Sequence, residues 1–252
     1  MRSYDVVIAG AGIIGLSIAW QLARRSKLSI AVIEKGAGVG EGSTGASSAI
    51  CRVRYSVDET LLLARDGIQA YRHWGAFTRL ENPAADFHED GVLWMPGSDR
   101  DWADRELQRM KSFGVAAEVL DDNDIAERFP ALSTCTLAPD LDTGEAHICE
   151  GNSRNLFEVE GGHVDPMAAS SDLVEACRNA GVELRFRTEV VGVGVSGGRF
   201  QGVSLDDGDE LATPLVINAA GPWCNRLSAM VGLQVPWTLE PMRIQVMYRD
   251  RP

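Results

Sequence analysis

Runs of apolar residues without polar alternation occur near both ends of the chain. Residues 6–8 (Val-Val-Ile) form one such run, residues 28–33 contain a second, and residues 215–217 (Leu-Val-Ile) form a third. Continuous apolar segments rich in β-branched residues are typical of strands buried on both faces of a parallel sheet. We therefore predict a parallel sheet built from the two ends of the chain, with a helix after its first strand.

The segment between these strands shows mixed helical and strand patterns. Apolar residues at partly helical spacing predict a long helix over residues 59–80, with Asp58 as its N-terminal cap. Residues 87–95 predict two strands joined by a turn at Asp90-Gly91. The other predictions here are a helix from 99 or 101 to about 113, a strand at 115–120, a helix over 121–129 and strands within 133–162.

Regular patterns return at Asp165. This residue is a typical N-cap and Pro166 a typical first helical residue, so a helix is predicted from there to about residue 179, where Gly181 ends it. The downstream predictions are strands at 183–187, 189–195 and 199–205, turns at Gly197-Gly198 and Asp207-Gly208, a helix over 222–231 and a strand at 242–248.

The order of these elements predicts two domains. Sheet-and-helix segments at both ends enclose an irregular block, which indicates a discontinuous α/β domain with a second domain inserted into it. We assign residues 1–83 and 156–235 to the α/β domain, and residues 84–155 and 236–252 to the inserted one.

Composition excludes several classes of protein. The 252 residues are 45% hydrophobic and 24% charged, as in ordinary globular proteins. A net charge of −12 argues against nucleic acid or an anionic membrane as the main partner. The five cysteines are scattered without a C-x-x-C pair, so we expect reduced thiols and no metal site. Without a basic leader or an 18-residue apolar run, we expect a cytoplasmic protein with no transmembrane segment.

A glycine-rich turn follows the first strand. Gly10, Gly12 and Gly15 form G-x-G-x-x-G: the first allows the tight turn, the second lets a pyrophosphate approach the backbone, and the third lets helix and strand pack closely. The helix start supplies N–H groups and a positive dipole end for phosphates. Glu34 ends the second strand 19 residues after Gly15, where an acid meets ribose hydroxyls. Together these features predict a dinucleotide site.

Four segments resemble those of a known flavoprotein family. They are the glycine turn through Glu34-Lys35, the loop 42–52 (G-S-T-G-A-S-S-A-I-C-R), residues 162–166 (G-H-V-D-P) with the helix and Thr188-Glu189-Val190 that follow, and residues 216–223 (V-I-N-A-A-G-P-W). In this order they resemble the FAD-dependent amino-acid and amine oxidoreductases, the family of sarcosine oxidase, glycine oxidase and D-amino-acid oxidase. The resemblance implies a Rossmann-like FAD-binding domain of the glutathione-reductase type with an inserted antiparallel-sheet substrate domain.

The resemblance also implies the residues of the site. Those expected at FAD are Gly10, Gly12, Ile13, Ile14, Gly15, Glu34, Lys35, Ser43, Thr44, Ser47, Ser48, Ala49, Val190, Ala220, Gly221 and Trp223. Since the loop 42–52 has no histidine for covalent attachment there, we expect non-covalent FAD. Arg52 resembles the arginine that holds the substrate carboxylate in sarcosine oxidases, and a guanidinium suits bidentate carboxylate binding. The alternative is a surface arginine paired with an acid.

The resemblance implies an enzyme that oxidises the C–N bond of an amino acid or N-methylated amine, such as glycine or sarcosine, to an imine by hydride transfer to flavin. The electron acceptor would be oxygen or a carrier. Two alternatives stay open: an FAD-dependent 2-hydroxy acid or glycerol-phosphate dehydrogenase, and a non-catalytic flavoprotein assembly factor. Because the family continues beyond Tyr248, we expect the substrate domain to be incomplete at the C-terminus. The piece alone should then hold flavin weakly and be inactive.

Overall fold

The computed structural model describes residues 2–95, 99, 101–132, 154–237 and 239. Its strands are β1 (Arg2–Ser3), β2 (Val6–Ala9), β3 (Ile30–Ile33), β4 (Ile50–Cys51), β5 (Phe87–His88), β6 (Val92–Trp94), β7 (Ala117–Leu120), β8 (Asn155–Glu158), β9 (Gly162–Val164), β10 (Glu183–Arg185), β11 (Val190–Ser196), β12 (Arg199–Leu205), β13 (Glu210–Ala212) and β14 (Val216–Asn218). Its α-helices are α1 (Ile13–Arg25), α2 (Asp58–Arg72), α3 (Trp74–Thr78), α4 (Trp102–Ser112), α5 (Asp122–Arg128), α6 (Pro166–Asn179) and α7 (Cys224–Ala229), and a 3₁₀ turn covers Gly221–Trp223. No helix among these is long and apolar enough to cross a bilayer.

The described residues divide into two compact units. The first takes in those of Met1–Ser47, Thr78–Ala85 and Pro166–Pro252, and the second those of Ser48–Phe77 and Asp86–Asp165. The predicted boundaries differ, because residues 48–77 and 156–165 group with the second unit. The reason is packing: β4 pairs with β9, and α2 contributes Leu61 and Ile68 to the second core.

The first unit contains the predicted parallel sheet, with strand order β10-β3-β2-β14 and parallel pairing throughout. Every residue of β2 and β3 is buried, which confirms that these apolar runs are central strands. The prediction that residues 215–217 are fully buried is wrong. Because β14 lies at the edge of the described sheet, Val216 and Ile217 are half-buried and Leu215 is 45% exposed.

A second sheet completes the core of the first unit. Strands β11, β12 and β13 form an antiparallel meander, and β1 pairs parallel to β13. The predicted turn at Gly197-Gly198 is confirmed, with φ of +58° and +73° that favour glycine. The buried side chains of the two sheets and α7 form one cluster: Val7, Ala9, Ala31, Ile33, Val190, Val203, Leu205, Leu211 and Leu227.

Helix α6 begins at Pro166 as predicted and packs against α1. Its buried Asp172 accepts hydrogen bonds from the backbone N–H groups of Ala84 and Ala85, both at 2.9 Å. These bonds hold residues 78–85 within the first unit, although both chain neighbours of that segment belong to the second unit.

The second unit contains two small antiparallel sheets, with strand orders β4-β9-β5 and β6-β8-β7. The two strands predicted over residues 87–95, with a turn at Asp90-Gly91, are confirmed as β5 and β6. They do not pair with each other: β5 pairs with β9, and β6 pairs with β8. The turn therefore connects two sheets, and Gly91 adopts a φ of +80° there. The helix predicted over residues 121–129 is confirmed by α5, which Asp121 caps.

The long helix predicted over residues 59–80 is interrupted. Helix α2 ends at Arg72, His73 leaves the helical region with φ of −119° and ψ of 42°, and α3 follows. Asp58 is the first residue of α2 and not its cap, because the first helical hydrogen bond runs from the Leu61 N–H to the Val57 carbonyl at 3.0 Å. The Asp58 carboxylate binds the Arg109 guanidinium at 2.6 and 2.9 Å. The predictions over 133–153 and 242–248 lie outside the described residues.

Candidate FAD site

A cleft of about 790 Å³ opens in the first unit where the strands of the parallel sheet end. Its volume lies within the range of small-molecule and cofactor sites, about 300–1,000 Å³. The wall consists of the glycine turn, the end of β3, the loop over residues 40–47, residues 188–190, the segment 219–223 and part of α7. Segments from the two ends of the chain, from Ala9 to Met230, thus meet in one concave surface.

The glycine turn has the geometry that its pattern predicts. Gly10 adopts a φ of +110°, and a Cβ there would clash with the carbonyl of Ala219. A Cβ on Gly15 would clash with the carbonyl of Gly10, so α1 can approach the turn only because this position has no side chain. At Gly12 a Cβ would lie 3.1 Å from the Thr44 hydroxyl oxygen, so a loop packs close to this backbone.

The start of α1 offers hydrogen-bond donors to the cleft. The Ile13 N–H already donates to the Thr44 hydroxyl at 3.1 Å. Gly12 and Ile14 also line the cleft, and their N–H groups meet no acceptor among the described residues. Unpaired N–H groups at a helix N-terminus are the donors that bind phosphate oxygens. This part of the cleft therefore fits the pyrophosphate of a dinucleotide.

Glu34 braces the turn from the end of β3. Its carboxylate accepts the Ala11 N–H at 2.7 Å and the Gly36 N–H at 2.8 Å, one on each oxygen. A carboxylate has about four acceptor positions, so acceptor capacity is left for ribose hydroxyls. The ribose contact stays a prediction, and bracing of the turn is a second role that the sequence did not reveal.

The small-residue loop over residues 40–47 packs closely on itself. Gly45 packs directly against Gly40, and the Ser47 N–H donates to the Thr44 carbonyl at 3.2 Å. Ser43 and Ser47 line the cleft beside Thr44, as the resemblance implies.

The remaining predicted residues of the first unit also line the cleft. Lys35 holds its ammonium 3.9 Å from the centre of the Trp223 ring, a cation–π contact. Gly221 has a φ of +54° and, like Ala220 and Val190, lines the cleft.

Arg226 is a cleft residue that the sequence analysis missed. It lies on α7, exposed and three residues after Trp223, and no described carboxylate pairs with it. Its helical spacing from Trp223 was the available signal, since residues three apart share a helix face.

Three predicted site residues, Ser48, Ala49 and Arg52, belong to the second unit. Ala49 has a φ of +47°, and its carbonyl accepts the Val164 N–H at 3.3 Å. The contribution of Ser48 and Ala49 to FAD binding stays a prediction.

Arg52 is half-buried in the second unit. Its guanidinium carbon lies 4.9 Å from the ring centres of both Tyr55 and Trp94. No described carboxylate forms an ion pair with it, which disfavours the alternative of an arginine neutralised by an acid. An oriented guanidinium without an anionic partner is suited to binding an external carboxylate.

The glycine turn, Glu34 and the unpaired helix donors define a dinucleotide-binding α/β protein. The sequence profile described as "DAO: FAD dependent oxidoreductase" matches residues 5–251. The chain therefore belongs to this family of FAD-dependent oxidoreductases, whose cofactor is FAD and whose members are enzymes.

Individual relatives agree with this assignment. The hydrogen cyanide synthase subunit HcnC of Pseudomonas aeruginosa is 30% identical over 282 residues, covering 99% of this chain and 65% of the relative. The sarcosine oxidase subunit beta of Rhodobacter capsulatus is 26% identical, covering 96% and 57%. The crystal structure of L-proline dehydrogenase from P. horikoshii superimposes with a TM-score of 0.78 at 22% identity, covering 92% and 57%, which confirms the fold. The chain thus spans less than two thirds of the length of these relatives.

Proposed function

We propose that the protein oxidises the C–N bond of a small amino acid or N-methylated amine. Bound FAD would supply the chemistry by accepting a hydride from the substrate carbon. The observation that carries the proposal is Arg52, a guanidinium stacked between two aromatic rings without an anionic partner among the described residues. The similarity to a sarcosine oxidase subunit and to a proline dehydrogenase, together with an oriented cation that forms no ion pair among the described residues, supports a substrate with a carboxylate.

Different residues of the chain would bind the cofactor and the substrate. The N–H groups of Gly12 and Ile14 would bind the pyrophosphate, and Glu34 would bind the adenosine ribose while bracing the turn. Arg52 would hold the substrate carboxylate through two parallel hydrogen bonds. No side chain needs to act as a strong base, because a neutral amine can lose hydride directly.

The proposal is tested by anaerobic mixing of the holoenzyme with candidate substrates. Sarcosine, glycine or proline should bleach the flavin absorbance, whereas 2-hydroxyglutarate and glycerol phosphate should not. Bleaching only by the last two compounds would establish the hydroxy-acid or glycerol-phosphate dehydrogenase instead. Bound flavin that none of these compounds reduces would favour the assembly factor. Readmitting oxygen and measuring peroxide then distinguishes oxygen from a carrier as acceptor.

The role of Arg52 makes a specific prediction. Arg52→Lys keeps the charge but loses the planar fork, so KM for carboxylate substrates should rise about tenfold while KM for an uncharged amine stays unchanged. Steady-state kinetics with matched pairs, such as sarcosine and a simple N-methylamine, measure this difference.

The control for this prediction is Arg105→Lys. Arg105 is exposed on α4 and paired with Asp99 at 2.6 Å, so its substitution should affect neither substrate type. Equal effects of Arg52→Lys on both substrate types would assign Arg52 to support of the fold or the flavin.

A second candidate function comes from one relative. The chain is 30% identical to a hydrogen cyanide synthase subunit. The second candidate function is therefore oxidation of the substrate beyond the imine, with cyanide as a product. Cyanide measured in the glycine reaction would support that role, and its absence during turnover would exclude it.

A further inference from the structure

Arg52 belongs to a row of stacked side chains in the second unit. In order, the row is Tyr55, Arg52, Trp94, Arg54 and Trp102, with each guanidinium carbon 4.8 or 4.9 Å from the rings beside it. Between the two arginines, Val53 is fully buried in the core of the unit. Because Val53 points into the core, Arg52 and Arg54 on either side of it both extend from the other side of residues 52–54.

The two arginines differ in their charge environment. Arg54 forms an ion pair with Glu106 at 3.0 Å, and Glu106 also binds Arg109 at 3.2 Å. Arg52 has no such partner among the described residues. The Trp94 ring contacts both guanidinium groups, so its position affects where Arg52 lies.

Glu158 lies beneath this row, fully buried on β8. Its carboxylate accepts the backbone N–H of Val53, the backbone N–H of Arg54 at 3.2 Å and the indole N–H of Trp94 at 3.3 Å. Burial raises the pKa of the Glu158 carboxyl, while these three donors and the nearby charge of Arg52 oppose that rise. One carboxylate thus fixes both the backbone after Arg52 and the ring on which Arg52 stacks.

We infer that Glu158 is a positioning residue for substrate binding, acting through the backbone of residues 53–54 and the Trp94 indole to hold Arg52 in its carboxylate-binding orientation. The inference rests on the proposed function, since it requires Arg52 to bind the substrate carboxylate. The physical reason is preorganisation: a long arginine side chain binds a carboxylate tightly only when its rotamer is already held. A buried carboxylate with three donors would hold it without contacting the substrate.

The test is Glu158→Gln in the holoenzyme. The glutamine amide keeps the shape of the side chain but loses its charge, and its NH₂ group faces N–H donors that it cannot accept from. The positions of residues 53–54 and of the Trp94 ring should therefore become less well defined. We expect KM for carboxylate substrates to rise about tenfold, with kcat, bound FAD and KM for an uncharged amine unchanged. Glu158→Asp, which retains the charge, should recover part of the loss.

Two further variants keep the test decisive if Glu158→Gln does not fold. Trp94→Phe removes the indole N–H but keeps a ring for Arg52, and should raise the same KM about threefold. Glu118→Gln is the matched control, because this half-buried residue on β7 binds Arg128 and forms no hydrogen bond or ion pair with residues 52–54. It should change neither KM.

A double-mutant cycle tests whether Glu158 acts through Arg52. With Arg52→Lys already in place, Glu158→Gln should add little further loss of carboxylate binding. Additive losses would overturn the inference, as would unchanged carboxylate KM in both Glu158→Gln and Trp94→Phe while Arg52→Lys raises it. If Arg52→Lys itself leaves that KM unchanged, the proposed role of Arg52 fails, and the inference fails with it.

Discussion

At the scale of single residues, roles that depend on neighbours in the sequence could be predicted, whereas roles that depend on long-range contacts could not. Gly15 could be assigned from spacing alone, because its steric demand comes from the Gly10 carbonyl a few residues before it. The tight turn at Gly10 was readable in the same way, but its close approach to the Ala219 carbonyl was not. The contacts of Glu158 could not, since its partners at residues 53 and 54 lie more than 100 residues away. The second role of Glu34 was hidden for the same reason: its Ala11 contact spans 23 residues.

The cysteines give a prediction at this scale. Burial raises the pKa of the Cys51 thiol to about 11 and that of Cys177 to about 12. Because the thiolate is the reactive form, only about one Cys177 in ten thousand is reactive at pH 8. Iodoacetamide at pH 8 should therefore leave the peptides of both residues unmodified in native protein and alkylate them in denaturant. Comparable labelling of native and denatured protein, measured by mass spectrometry, would show that these thiols are not buried.

At the scale of elements, periodicity found the strands but not their partners. Strands β2 and β3 were predictable, because burial on both faces leaves an unbroken apolar run. The partners of β5 and β6 could not be predicted, because the sequence of a turn such as Asp90-Gly91 is the same whether the turn closes a hairpin or connects two sheets. The interruption of α2 at His73 also lacked a clear local signal, since residues 72–74 contain neither proline nor glycine.

Two glycines within helices give a matched pair of substitutions. Gly15 in α1 faces the Gly10 carbonyl, so Gly15→Ala should lower the free energy of unfolding by roughly 3 kcal/mol and weaken FAD binding. Gly67 in α2 is exposed with open space around it, so Gly67→Ala should raise that free energy by about 0.5–1 kcal/mol. Denaturant titrations compare the two. A destabilisation of equal size in both variants would mean that the close approach at Gly15 is absent.

At the scale of the whole molecule, the sequence predicted a discontinuous organisation but misplaced its boundaries. Motif order suggested that the ends of the chain form one domain, and the parallel sheet of β10, β3, β2 and β14 agrees. The assignment of residues 48–77 depended on long-range packing, which no local pattern reports. The FAD cleft lies wholly within the first unit, while Arg52 and Glu158 lie in the second.

The most direct test of the account is a titration of the apoprotein with FAD, followed by quenching of flavin fluorescence. We predict weak but saturable binding of one FAD per chain that ADP displaces. Glu34→Ala should weaken this binding by about 1–3 kcal/mol, because it removes a charged acceptor and the brace of the turn. Glu175→Ala, an exposed change on α6, should not weaken it. Absence of saturable binding, or binding that ADP does not displace and Glu34→Ala does not weaken, would contradict the assignment of this cleft to FAD.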